Sequence, residues 1–128
     1  MTTESRIERY YYLKDPTNGH YLGCVCLYRD PETGKFSRGV SLCNTEMDRF
    51  IKARARGIAY GRAIHCLGQC YDVGPNLAKK CEVIKKNYGL NLRPNNEMVW
   101  LGLDNVILTK FECRMWDDVL NPWPEKAK

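Results

Sequence analysis

Seven cysteines and two histidines are the residues of this chain best suited to metal binding or nucleophilic chemistry, and their spacing assembles neither. Cys24-x-Cys26 would put two thiols on one face of a strand, and His65-Cys66 with Cys70 would add an imidazole and two more thiols. The paired knuckles of a structural zinc module are missing, so thiols buried as small hydrophobes account for the pattern more simply. A cysteine nucleophile needs a base within reach and surroundings that lower its pKa. On a helix His65 points about 100° away from Cys66, so adjacency in sequence is not adjacency in space. No glycine-rich phosphate loop, nucleophile elbow or paired-acid constellation occurs. The sequence predicts a protein that is not an enzyme and holds no metal and no cofactor.

The cations carry more. Residues 46–67 hold five Lys and Arg residues against Glu46 and Asp48. As a helix this stretch puts Arg49, Lys52 and Arg56 on one side, a face able to bind phosphate backbones without reading sequence. Arg62 lies elsewhere on the same helix and could assist. Tyr10, Tyr11 and Tyr12 offer rings on which bases could stack. Strand alternation turns at least one of them into the core, and Tyr10 and Tyr12 are the pair that shares a face. The candidate binding residues are therefore Arg49, Lys52, Arg56, Arg62, Tyr10 and Tyr12; a solvated helix surface is the plainer reading of the same cations.

The elements that must position these residues are legible from turns and periodicity. Residues 7–14 are rich in aromatic strand formers and end at Asp15-Pro16-Thr17-Asn18-Gly19; His20 to Tyr28 ends at Asp30-Pro31-Glu32-Thr33-Gly34-Lys35; Phe36 to Cys43 alternates. This predicts a three-stranded antiparallel meander. A long helix follows from about Glu46 to about Leu67, started by Asn44-Thr45 and ended near Gly68. Its Ala53, Gly57 and Gly61 form a nearly flat strip, expected to pack on the meander or on a second copy of the helix in a homodimer. A shorter helix runs from Gly74-Pro75-Asn76 through about Asn87 and ends at Tyr88-Gly89. Met98 to Leu103 and Val106 to Cys113 read as a C-terminal hairpin around Asp104-Asn105, with a helix as the competing reading of part of that stretch. From about residue 121, at Pro122-Trp123-Pro124, the chain reads as an extended tail.

At 128 residues, with 44% hydrophobic and 27% charged side chains, the whole chain reads as a single α+β domain, residues 1–128. Met1 to Arg6 lack an apolar segment behind their charges, and no stretch approaches the eighteen or so apolar residues of a membrane span. An odd cysteine count and no export signal point to reduced thiols in a cytoplasmic protein. The net charge of +5 is concentrated in the middle of the chain, which fits an acidic partner such as nucleic acid or an acidic protein surface.

At the strand-to-helix junction, Gly39-Val40-Ser41-Leu42-Cys43, then Asp48-x-Phe50-x-Lys52, then Gly57-Ile58-Ala59-Tyr60-Gly61-Arg62-Ala63, the chain resembles small phage and prophage accessory proteins. Those chains also run from an aromatic-rich meander into a helix bearing a Gly-Arg-Ala element. The resemblance covers residues 20–65, about a third of the chain. It implies an accessory protein of the host cell cytoplasm that acts by binding: an anti-defence protein, of the kind that includes anti-CRISPR proteins, holding a host protein or a ribonucleoprotein complex. It transfers no catalytic residue. Direct binding of nucleic acid through the basic helix face is the alternative.

Overall fold

The computed structural model describes residues 7–43, 51–65, 67–72, 74–95 and 98–120, with side chains through Trp116. The meander is present as β1 (Glu8–Lys14), β2 (Tyr21–Arg29) and β3 (Phe36–Leu42), all antiparallel. Both of its turns are built alike from Asp-Pro-x-x-Gly. Gly19 and Gly34 sit at φ 74° and 76°, where a side chain would strain the backbone, and their N–H groups donate to the carbonyls of Asp15 and Asp30, each at 2.7 Å. The Asp15 carboxylate also accepts from the N–H of Thr17 and the Asp30 carboxylate from that of Glu32, so each turn is closed by its own first residue.

Helix α1 (Lys52–Ile64) leads to β4 (Gln69–Asp72), then α2 (Pro75–Tyr88), β5 (Met98–Leu103) and α3 (Lys110–Leu120). The five strands lie in the order β1-β2-β3-β5-β4, with every pairing antiparallel. Helix α2 starts with Pro75 at its first turn and stops at Gly89 in the left-handed conformation, the asymmetry its sequence announces. Residues 46–50, which the long predicted helix would include, and the predicted tail from 121 lie outside the described residues.

The sheet is covered on both faces. Alternation in the meander sends Tyr11, Leu13, Val25, Leu27, Phe36 and Val40 into a core completed by Cys81 and Ile84 of α2 and Trp116 of α3. The Trp116 ring is fully buried and stands edge-on to Phe36, with centroids 5.1 Å apart. Burying a Leu13 or Leu27 side chain completely stabilises the fold by about 1.5–3 kcal/mol. The opposite face presents Cys24 and Cys26 to Ala55, Ala59 and Ala63 of α1.

Two predicted features are corrected. The predicted second strand of the C-terminal hairpin, Val106 to Cys113, is loop followed by the start of α3. Thr109-Lys110-Phe111-Glu112 is a capping box: the Glu112 N–H donates to the Thr109 hydroxyl at 3.1 Å, and the Thr109 N–H donates to the Glu112 carboxylate at 3.0 Å. That reciprocal pair satisfies two otherwise open donors, so the helix prevails over the β-propensity of Val106, Ile107 and Leu108. The second correction concerns the flat strip. Ala53, Gly57 and Gly61 do not face the sheet, and a methyl group added to either glycine would meet nothing within 4 Å. The row against the sheet is Ala55, Ala59 and Ala63, offset by two residues and so about 200° around the helix. Both rows are small, and the choice falls to what β3 offers. Gly39 lets the helix backbone approach so closely that an added Cβ would lie 2.0 Å from the Ala59 carbonyl oxygen and 2.3 Å from the Ala63 nitrogen.

One buried ion pair joins the layers. Arg38 points from β3 into the α2/α3 side of the sheet at 8% exposure and meets Glu112 at 0%. Its Nε donates to the Glu112 carboxylate at 2.8 Å, and the Tyr11 hydroxyl donates to the same carboxylate at 2.6 Å. Burial, with the Glu112 charge beside it, holds the Tyr11 phenol well above its ordinary pKa, so it stays a donor.

Two outcomes are expected by denaturant melts. Gly39→Ala destabilises by about 1–3 kcal/mol or more because backbone blocks its methyl, whereas Gly57→Ala and Gly61→Ala each stabilise by roughly 0.5–1 kcal/mol, the ordinary gain at an open helical site. Equal losses at all three glycines would contradict this placement of α1. Glu112→Ala, which strands Arg38 in the core, costs about 3–5 kcal/mol; a loss below about 1 kcal/mol would mean that the pair is not buried in solution.

Candidate nucleic-acid interface

The covering of the sheet by α1 separates the predicted cations. Long side chains at the borders of a buried row extend across the neighbouring sheet, their stems on apolar surface and their heads in water. Lys52 and Arg56 lie on the border that looks toward β1 and β2, and Arg62 lies on the other. Arg62 donates to the Val40 carbonyl oxygen at 2.8 Å and rests over the Tyr71 ring at 5.1 Å, so it works as a clamp between α1, β3 and β4. It is not part of the patch that Lys52 and Arg56 form. Arg49 lies outside the described residues.

Around Lys52 and Arg56 the structure adds two residues that the sequence reading missed, Lys14 and Tyr21. A register shift between Leu13 and Lys14 brings Lys14 opposite Tyr21 and leaves Leu22 as the extra residue. The bulge lets Leu22 turn into the α2/α3 core while Tyr21 joins Tyr12 on the α1 side. The two rings meet edge to face with centroids 5.9 Å apart. The Lys52 ammonium stands 5.0 Å from the Tyr12 ring centroid and 5.2 Å from that of Tyr21, and Lys14 stands 4.9 Å from Tyr21. Arg56 donates to the Tyr12 hydroxyl at 2.5 Å.

Three exposed cations thus surround two half-buried phenols at one end of the sheet. The Lys52 ammonium beside Tyr21, and then the charge of Lys14, pull the Tyr21 pKa below its ordinary value. Among the described residues no ion pair is seen at these cations; the pair that is seen, Arg38 with Glu112, lies across the sheet. Tyr10, two residues from Tyr12 and on the same face, has different company: burial, and then Cys26 and Glu8, hold its phenol well above the ordinary value, and its hydroxyl donates to Glu8 at 3.3 Å. The acid places it at the edge of the patch. The hairpin pairing of Lys14 with Tyr21 could have been sought from Asn18-Gly19, but the bulge that turns Tyr21 over has no sequence signature.

The remaining reactive groups do not gather. Cys24 and Cys26 lie side by side against alanines, and burial pushes both thiols up to about 12. Burial also raises the Cys81 thiol. Among the described residues no group of three His, Cys, Asp or Glu side chains is placed to share a metal ion, and no helix is long and apolar enough to cross a membrane. Cys66 lies outside the described residues. At pH 8 Cys24, Cys26 and Cys81 should remain unalkylated by iodoacetamide in the native protein, while half-exposed Cys70 and Cys113 are modified; mass spectrometry of the digest reads this directly, and native labelling of Cys24 or Cys26 would refute the packing of α1 over them. No protein family, curated protein or solved structure was found to match the chain.

Proposed function

We propose that the chain is a binding protein whose ligand is nucleic acid, held through its phosphates by Lys14, Lys52 and Arg56. The observation that carries this reading is the tyrosine-backed cation cluster. Each of these cations lies against one or both of two tyrosine rings fixed on the sheet, so less side-chain freedom is lost when a phosphate arrives than with cations standing free in water. Tyr12 and Tyr21, both half-buried, bring aromatic rings of the kind on which single-stranded bases stack to the same surface. Recognition of this kind depends on charge and ring surface and reads little sequence.

The resemblance to phage accessory proteins gives the same patch a biological setting. An anti-defence protein that seizes a nucleic-acid-processing complex needs a preformed face for phosphate or for an acidic protein surface, and this patch supports both. Expression in bacteria carrying defined defence systems, scored by phage plating, tests that setting: plating rises against at least one system, and no rise against any would count against it.

Direct binding is read by fluorescence anisotropy of labelled single-stranded and duplex oligonucleotides. The logarithm of the association constant should fall linearly with the logarithm of salt concentration, with a slope of about −0.7 per phosphate contact on a single strand. Lys52→Ala with Arg56→Ala should flatten the slope by about 1.4 and leave melting unchanged. A salt-independent affinity, or no binding at low salt, would sink the proposal.

A further inference from the structure

Hard and borderline metal ions draw on His, Cys, Asp and Glu, and among the described residues no three of these are assembled. A thioether adds a donor of another kind. Methionine and cysteine together suit soft ions such as copper(I), which accept two or three donors, so that a pair of sulfurs is enough to hold one.

Cys70 and Met98 make such a pair. They stand on β4 and β5, with β4 at the edge of the sheet. Asp72 pairs with Met98, Tyr71 with Val99 and Cys70 with Trp100, so Cys70, Met98 and Trp100 share one face. Val99 and Tyr71 take the other face and pack into the α2/α3 core. Just past Cys70 the register shifts, and Leu101 becomes the extra residue, buried in that same core. Trp100 is tied down outside this ladder too, its N–H donating to the Leu92 carbonyl at 2.9 Å. The backbone that carries the two sulfurs is therefore held by pairing on β4 and by packing under β5.

The Cys70 S–H donates to the Met98 Sδ at 3.9 Å, with Cys70 half-buried and Met98 37% exposed. Neither side chain belongs to the core cluster on either face of the sheet. At the metal–sulfur distance of thiolate sites, about 2.3 Å, an ion touching both sulfurs would enclose an angle of roughly 115°. That is the angle of a three-coordinate centre with one position open to solvent. The ion would take the place now held by the thiol proton, so neither strand has to move.

We propose that Cys70 and Met98 form a binding site for a soft monovalent ion, copper(I), with the Trp100 side chain as its neighbour. Binding forms one copper–thiolate bond and one copper–thioether bond, releases the thiol proton to water and changes no oxidation state. Zinc needs more thiolate, imidazole or carboxylate donors than this face assembles. The site uses none of the strands that carry the cation patch, so the two readings are tested separately.

Copper(I) is supplied to the full chain as its acetonitrile complex under nitrogen, and iodoacetamide labelling of the native protein is read by mass spectrometry. One equivalent should block labelling of Cys70 while Cys113 stays reactive, and the same amount of zinc should block neither. Met98→Leu keeps the thiol and nearly the same side-chain volume. It should nevertheless need roughly tenfold more copper(I) for equal protection, at least the loss that follows removal of a supporting group from a metal site. In the wild type, silver(I), a redox-inert stand-in, should shift the Met98 methyl resonance and quench tryptophan emission, and the quenching should fall in Trp100→Phe. Protection of Cys70 that is unchanged in Met98→Leu, equal protection of Cys70 and Cys113, or a Met98 methyl resonance that does not move overturns the site and leaves an ordinary thiol. Equal protection by zinc overturns the choice of ion. Thermal melts show whether Met98→Leu is folded, and if it is not, the methyl resonance of the wild type decides.

Discussion

The meeting of Arg38 and Glu112 beneath the sheet is the contact on which the rest of the architecture depends. An arginine on the apolar face of a central strand has a large desolvation penalty unless a carboxylate meets it in good geometry. Glu112 can do so only from the first turn of a helix that begins at Thr109, because the same carboxylate closes the capping box there. The pair therefore fixes where α3 starts, how α3 lies on the sheet and, through the Tyr11 hydroxyl, how β1 registers against both. Each partner alone would be a defect. Together they specify one packing among the many that an apolar core of similar composition would accept.

With one side of the sheet closed in this way, the other is left for α1, and there the constraint is close approach rather than charge. Gly39 and the alanine row allow the α1 backbone to rest almost on β3, with the Ser41 hydroxyl donating to the Ala55 carbonyl at 3.0 Å. A helix so close to a sheet leaves no room for long side chains beneath it, so Lys52, Arg56 and Arg62 emerge along its two borders. Their separation into a patch and a clamp follows from this geometry.

What the sequence disclosed depended on whether the signal was local. Both Asp-Pro-x-x-Gly turns, the meander and the bounds of α2 are written in residues a few positions apart, and each was legible. The T-x-x-E capping box at Thr109 is equally local, but the β-prone run Val106-Ile107 stands directly before it, and a hairpin was expected where α3 begins. The orientation of α1 was not legible. Its two small-residue rows have the same four-residue period, and only Gly39, far away in the chain, selects between them. In the same way Tyr12 was found by strand alternation, but Tyr21 reaches the patch through a bulge that depends on Leu22 finding a place in the core.

The position of the patch follows from the same rules of burial. The aromatic run of β1 cannot turn all its tyrosines to one side, and the core takes Tyr11 because Glu112 needs its hydroxyl and Tyr88 and Phe111 surround its ring. Tyr10 and Tyr12 are then committed to the α1 side, where Cys24, Cys26 and the alanines are too small to cover them fully. The cations bordering α1 occupy the remaining space, resting on rings that the fold leaves half-exposed. A surface formed in this way sets its cations on rings located by the packing of the sheet rather than by a loop. That is the arrangement expected of a face that binds a polyanion without large rearrangement.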